Sequence, residues 1–221
     1  MFAEPENRTK VKICGLTTLE DARFVSGALA DYLGFIFYPD SPRYIEPAKA
    51  GAIINWLEGP GKVGVFVNQP LDDVNSIARQ TGIDYIQLHG NESPDYCALV
   101  EKPIIKAFHV DSDTDPTKLE SRIESYLDQV EYLLFDTKSD TDWGGTGQTF
   151  DWSILNEISN DKPFFLSGGL NAKNVQEAIQ TVQPYAVDLS SGLEESPGLK
   201  DFDKIELFFD KMRDIWHEQE F

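Results

Sequence analysis

Phe164-Phe165-Leu166-Ser167-Gly168-Gly169 is a short apolar run that breaks into a glycine turn, and Ala186-Val187-Asp188-Leu189-Ser190-Ser191-Gly192 repeats that pattern one helix later. Upstream, Tyr132-Leu133-Leu134-Phe135-Asp136 leads to a third such turn, Gly144-Gly145-Thr146-Gly147. An apolar run, a glycine turn and then a helix is how a chain aims bare backbone N–H groups at a phosphate. Working outward, the same alternation covers the whole chain. Runs rich in Val, Ile, Phe and Tyr predict eight strands: Val11–Cys14, Tyr32–Phe37, Lys62–Val67, Tyr85–His89, Ile104–Phe108, Tyr132–Asp136, Phe164–Ser167 and Ala186–Leu189. Several lack polar alternation, as strands buried on both faces do.

Amphipathic segments between the runs predict helices over Thr18–Ala30, Glu46–Leu57, Leu71–Thr81, Ser93–Val100, Thr117–Gln129, Trp152–Ile158, Asn171–Val182 and Phe202–Trp216. Gly82 reads as a C-terminal cap, Pro94 as a first helical residue and Asn171 as an N-cap. Asp111–Pro116 reads as a loop. Eight strand–helix units without a break in composition predict one α/β domain, a single (β/α)8 TIM barrel over residues 11–221, with residues 1–10 as an N-terminal extension. A doubly wound open sheet is the alternative, because periodicity alone does not close a barrel.

The formal net charge is −19, from 38 acidic and 19 basic residues. Such an excess excludes nucleic acid and an anionic membrane surface as partners, since both require basic patches. If the ligand is an anion, its site must be locally positive. The two cysteines, Cys14 and Cys97, form no paired motif, which suits a reducing compartment. The first ten residues are polar, unlike a signal peptide, and no apolar run approaches the roughly 20 residues of a membrane span. The expectation is a soluble cytoplasmic protein, monomer or homodimer, that holds a phosphorylated small molecule.

In such a barrel the C-terminal ends of the strands face the ligand. The first strand delivers Cys14, the second leads to Arg43 and the fourth ends at His89. The sixth ends at Asp136, and Asp188 lies just inside the end of the eighth. A thiol and a carboxyl at opposed strand ends make a base–acid pair if Cys14 is held as thiolate by positive charge or oriented N–H groups and Asp136 is held protonated by burial beneath a bound ligand. The structural alternatives are a small core residue for Cys14 and a capping carboxylate for Asp136. Arg43 suits bidentate pairing with a carboxylate or phosphate, or a surface ion pair. Asp188 also fits a buried carboxylate satisfied by backbone N–H groups. His89 reads as a polar wall or a hydrogen-bonded core residue. His89 and His109 lack the spacing of a metal site, so no metal is expected. The turns at Gly168-Gly169 and Ser190-Ser191-Gly192 are the phosphate candidates, and Gly144–Gly147 the candidate cover over the site.

Together, Val11-Lys12-Ile13-Cys14-Gly15-Leu16-Thr17, Ser41-Pro42-Arg43, Gln87-Leu88-His89-Gly90, Phe135-Asp136-Thr137, Gly144–Gly147, Ser167-Gly168-Gly169-Leu170 and Val187–Gly192 resemble the phosphoribosylanthranilate isomerases of tryptophan biosynthesis. The resemblance spans nearly the whole chain after residue 10. It implies an Amadori rearrangement of N-(5-phosphoribosyl)anthranilate to its 1-amino-1-deoxyketose isomer, without a cofactor. It further implies Asp136 as general acid, Cys14 as general base, Arg43 against the anthranilate carboxylate and Asp188 near the anthranilate amino group. The phosphate falls to the turns after strands seven and eight. The rivals are another phosphosugar isomerase or epimerase barrel, and a barrel that binds phosphate ligands without catalysis.

Overall fold

The computed structural model describes residues 8–137, 150–159 and 161–219. Eight strands run parallel in sequence order: β1 (Lys10–Ile13), β2 (Tyr32–Ile36), β3 (Gly61–Phe66), β4 (Tyr85–Leu88), β5 (Ile104–Val110), β6 (Tyr132–Thr137), β7 (Phe164–Leu166) and β8 (Ala186–Leu189). β1 pairs with β8, from Lys10↔Ala186 to Ile13↔Leu189, so the barrel closes and the open-sheet alternative fails. The helices are α1 (Leu19–Gly27), α2 (Pro47–Ile54), α3 (Leu71–Thr81), α4 (Pro94–Cys97), α5 (Pro116–Glu124), α6 (Val175–Val182) and α7 (Phe202–Gln219).

The strands read as continuous apolar runs because both of their faces are buried. In β1, Val11 and Ile13 join the large core between the barrel and its helices, whereas Lys12 turns inward and pairs with Asp188. A second, smaller core fills the barrel: Val63, Ile105, Ala107, Leu134, Phe165 and Ala186, with Tyr32. At the N-terminal end Tyr132 stacks on Tyr185 with ring centroids 5.0 Å apart, and the Tyr32 and Tyr185 hydroxyls meet at 2.9 Å. These rings pack across that end of the barrel.

Local chemistry accounts for most element ends. The Thr18 side chain accepts from the Asp21 N–H and starts α1; Ser93 does the same for α4, with Pro94 as first helical residue. α3 stops at Gly82, which is left-handed at φ 73°. Four expectations need correction. Trp152–Glu157 is 3₁₀ rather than α, and α4 and α5 end earlier than their apolar spacing suggested. α6 starts at Val175 with Asn174, not Asn171, as the N-cap. The Asn171 side chain instead accepts from the Lys173 N–H within the preceding turn. After β8 the chain forms a 3₁₀ turn (Ser191–Leu193) and then an unforeseen hairpin of β9 (Glu194–Ser196) and β10 (Leu199–Lys200) before α7.

Arg8, Thr9 and Lys10, assigned above to the extension, are part of the packed barrel. Arg8 pairs with Asp31 at 2.9 Å, its guanidinium lies 4.1 Å over the Trp216 ring, and Trp216 Nε1 donates to the Thr9 carbonyl. Among the described residues no helix is long and apolar enough to cross a membrane.

Candidate active site

The C-terminal ends of the strands surround a cavity of about 410 Å³ lined by Cys14, Arg43, Gln87, His89, Asp136 and Asp188, with Ser167 and Ser190 at its edge. The cavity therefore brings together all five residues expected to act on a substrate. Gly168, Gly169, Ser191 and Gly192 lie just beyond its lining, in the turns that carry Ser167 and Ser190. The Gly144–Gly147 segment lies outside the described residues.

Cys14 directly follows β1 and is buried; a Cβ on Gly34 of the neighbouring strand would stand 2.7 Å from its Sγ, so only glycine leaves room for the thiol there. The expectation that the site depresses the Cys14 pKa needs correction. Burial pushes the thiol up, and this outweighs the nearby Lys12 and Lys200 ammonium groups that favour the thiolate. Lys12 is fully buried, with Nζ 2.8 Å from Asp188 Oδ2. Burial works against its charge, but Asp188 and Cys14 beside it raise its pKa above the ordinary lysine value. Asp188 is therefore held by a lysine rather than by backbone N–H groups, and its Oδ1 has no hydrogen-bond partner among the described residues.

Asp136 is governed by its neighbour. Burial pushes its carboxyl up, yet His89, whose Nε2 stands 3.2 Å from Asp136 Oδ2, outweighs burial and leaves the pKa below the usual aspartate value. His89 Nδ1 in turn meets Gln87 Nε2 at 2.9 Å. His109, opposite Asp136 in the β5–β6 register, meets the His89 carbonyl through Nε2 at 3.2 Å. Burial and the neighbouring His89 push His109 down to about 4, so it is neutral near pH 7. His89, His109 and Asp136 are ligand types that suit a metal, and their ligand atoms fall within 4.8 Å of one another. Two ligands about 2.1 Å from one zinc ion lie roughly 3.4 Å apart, so the three would have to close up to hold one.

Arg43 is buried rather than on the surface. Its Nε and Nη2 grip Glu194, with Nη2 2.7 Å from Oε2, while Nη1 makes no bond among the described residues. Lys200 adds Nζ to Glu194 Oε1 at 2.9 Å and to the Cys14 carbonyl at 2.7 Å. Burial pushes the Glu194 carboxyl up, but Arg43 and Lys200 more than offset this and hold it down. These cations, with Lys12, are matched one for one by Glu194, Asp188 and Asp136, so the site carries positive groups within an acidic chain without a net excess of them.

The two turns are built for close approach. Gly168 and Gly169 are left-handed at φ 93° and 64°, and a Cβ on Gly168 would stand 2.2 Å from Thr137 Oγ1. A Cβ on Gly192 would stand 2.2 Å from the Leu170 carbonyl. The N–H groups of Gly168, Gly169, Ser191 and Gly192 donate to no carbonyl among the described residues, so they remain available to an anion.

Sequence inspection missed Lys12, Glu194 and Lys200. Lys12 left a signal, a charge in the middle of an apolar strand two residues before Cys14. Glu194 and Lys200 left none, because Glu194-Glu195 and Lys200-Asp201 read as solvated charges in an acidic chain.

A closed eight-stranded barrel with a thiol, carboxylates, a caged arginine and two amide-lined turns at one end defines a small-molecule enzyme of the phosphate-binding barrel class. The family model described as N-(5'-phosphoribosyl)anthranilate (PRA) isomerase matches residues 11–211. The chain belongs to that family, and its activity is the isomerisation of phosphoribosylanthranilate in tryptophan biosynthesis. The N-(5'-phosphoribosyl)anthranilate isomerase of Geobacter metallireducens is 46% identical over 200 residues, covering 90% of this chain and 96% of the relative. The crystal structure of the Thermus thermophilus phosphoribosyl anthranilate isomerase superposes with a TM-score of 0.83 at 33% identity, covering 94% of this chain and 100% of the other. A phosphoribosyl anthranilate isomerase in complex with reduced 1-(o-carboxyphenylamino)-1-deoxyribulose 5-phosphate superposes with a TM-score of 0.79 at 37% identity, covering 93% and 99%.

Proposed function

We propose that the cavity performs this isomerisation by general acid/base catalysis, with Asp136 as the acid and Cys14 as the base and no cofactor in either step. Asp136 gives a proton to the furanose ring oxygen. The C1–O bond breaks as the anilino nitrogen lone pair forms the C1=N bond, which opens the sugar to a protonated Schiff base. Cys14, as thiolate, removes the C2 proton, and the electrons of that bond neutralise the nitrogen and leave an enolamine. C1 then takes a proton and the C2 hydroxyl loses one, giving the ketone. The observation that carries this assignment is that one cavity is lined by both Cys14 and Asp136, with cationic groups and free amides around it.

Each group starts in the opposite protonation state from the one it needs, and the site supplies a reason for each to change. Asp136 is held down by His89, and a substrate bearing a carboxylate and a phosphate beside it pushes its carboxyl up. Cys14 is held up by burial, and the buried Lys12 ammonium is the charge against which its thiolate forms. Arg43 receives the anthranilate carboxylate, Asp188 lies by the anilino nitrogen, His89 orients Asp136, and the Gly168-Gly169 and Ser190-Ser191-Gly192 turns take the phosphate. The phosphorylated substrate is the partner, and the protein acts as a monomer or homodimer.

The test is the loss of anthranilate fluorescence from freshly made phosphoribosylanthranilate, with and without EDTA, for the wild type, Asp136→Asn and Cys14→Ser. Turnover that ignores EDTA and collapses in both variants is the expected result. Inhibition by EDTA, or turnover near the wild-type rate in either variant, would overturn the assignment.

A further inference from the structure

Arg43 does not face the cavity as a loose side chain. Its stem packs on the backbone of Gly15, where a Cβ would come within 2.7 Å of Arg43 Cδ. Its guanidinium is fixed edge-on by Glu194, which accepts from Nε at 2.9 and 3.1 Å and from Nη2 at 2.7 Å. Glu194 is itself immobilised: Lys200 Nζ donates to Oε1 at 2.9 Å, the Gly198 N–H approaches the same oxygen at 3.4 Å and Ser190 Oγ at 3.5 Å. Lys200 ties this cluster to two other parts of the site through the carbonyls of Cys14 at 2.7 Å and Ser190 at 3.3 Å. Glu194, Arg43 and Lys200 are all buried.

Two features of this cluster exceed what a structural ion pair requires. First, two cationic heads share one carboxylate, so the trio keeps a positive charge. The nearby Asp21 carboxylate meets the backbone N–H of Lys200, at 3.5 Å, rather than its ammonium. Second, Glu194 occupies one edge of the guanidinium and leaves Nη1, while Arg43 still lines the cavity. A fork held in this way has lost its rotamer freedom before a ligand arrives, which lowers the entropic cost of pairing with a carboxylate.

We propose that Glu194 is a positioning residue for the carboxylate arm of the site: it cages Arg43 so that the free edge of the guanidinium is set for an aromatic carboxylate, and through Lys200 it fixes that edge relative to Cys14 and the Ser190 turn. The proposal rests on the assignment of Arg43 to the anthranilate carboxylate. Charge alone and positioning predict opposite signs for loss of the acid. If only charge mattered, neutralising Glu194 would leave the arm more positive and tighten carboxylate binding. If Glu194 positions Arg43, the same change loosens it.

The experiment compares two unreactive ligands, reduced 1-(o-carboxyphenylamino)-1-deoxyribulose 5-phosphate and the reduced phenylamino counterpart that lacks the carboxylate. Both are measured as competitive inhibitors of the wild type, Glu194→Gln, Glu194→Asp and Arg43→Ala. The wild type prefers the carboxylated ligand, and Arg43→Ala loses that preference. Glu194→Gln is expected to shrink the preference by about tenfold or more, the scale of a charge-assisted hydrogen bond, while affinity for the phenylamino ligand stays near wild type. Glu194→Asp, which keeps the charge but shortens the reach, is expected to fall between the two and serves if the glutamine variant does not fold. An unchanged or increased preference in the Glu194 variants, with Arg43→Ala still losing it, would overturn the proposal alone. A preference that survives Arg43→Ala would overturn the assignment of Arg43 and the proposal with it.

Discussion

The two ends of this barrel are built from the same strands and solve opposite problems. At the N-terminal end Tyr32, Tyr85, Tyr132 and Tyr185 ring Phe165, with centroids between 5.0 and 6.2 Å apart. Apart from their hydroxyls these side chains ask only to be packed, and they pack. At the C-terminal end the same inward rows deliver the ionisable groups Lys12 from β1, Asp136 from β6 and Asp188 from β8, with Cys14 just past β1, His89 just past β4 and His109 on β5. Removing an ion from water costs several kcal/mol and is offset only by close partners. The buried ammonium and guanidinium groups named above accordingly have one: Lys12 with Asp188, and Arg43 and Lys200 with Glu194, while the Asp136 carboxylate meets His89 Nε2. One end stabilises the fold and the other uses that stability to hold ionisable groups out of water and against one another.

The contrast breaks first at Asp136. Asp136→Asn is expected to lower kcat by about 10²–10⁴-fold with little change in melting temperature, as read from steady-state rates and a melting curve; an equal loss of both would erase the distinction between the ends. The reverse pattern is expected at the aromatic end. Phe165→Ala should cost about 3–5 kcal/mol of stability in urea or guanidinium unfolding, while kcat per folded molecule stays near wild type.

A smaller effect comes from pH. His109 has its pKa lowered to about 4 by burial, from 6.5 in the unfolded chain. Its contribution to stability is complete above pH 6.5 and is lost as pH falls towards 4, because over that window the unfolded chain binds a proton that the folded one refuses. His109→Gln should flatten that part of the stability–pH curve measured by urea midpoints; an unchanged slope would show that His109 is not held neutral. The smallest change is Tyr185→Phe, which removes the hydroxyl contact to Tyr32. It should cost roughly 0.5–1.5 kcal/mol and leave the kinetics alone.

The architecture was legible because its signal is repetitive. Each strand is an apolar run buried on both faces and most are followed by a recognisable cap, so Gly82 and Pro94 end and begin helices where their backbone preferences place them. The hairpin after β8 was not legible: Glu194-Glu195-Ser196 is neither apolar nor alternating, and it pairs because Glu194 is drawn inward by Arg43 and Lys200. The candidate site shows the same limit. Position along a strand is enough to place Cys14, Asp136 and Asp188 at one end. It carries no record of which distant residue becomes a neighbour: Lys12 and Asp188 are 176 residues apart yet lie in register on adjoining strands. The pKa directions show the same limit. Asp136 was expected up beneath a bound ligand, and His89, from another strand, holds it down here; Cys14 was expected down through positive charge or oriented N–H groups, and burial keeps it up.

The most direct test is a crystal structure of this protein with reduced 1-(o-carboxyphenylamino)-1-deoxyribulose 5-phosphate. C1 and C2 of the sugar should lie between Cys14 Sγ and the Asp136 carboxyl, with the phosphate on the amides of Gly168-Gly169 and Ser190–Gly192 and the aromatic carboxylate on Arg43. A sugar that leaves Cys14 and Asp136 on the same side, or a phosphate seated away from those turns, would contradict it.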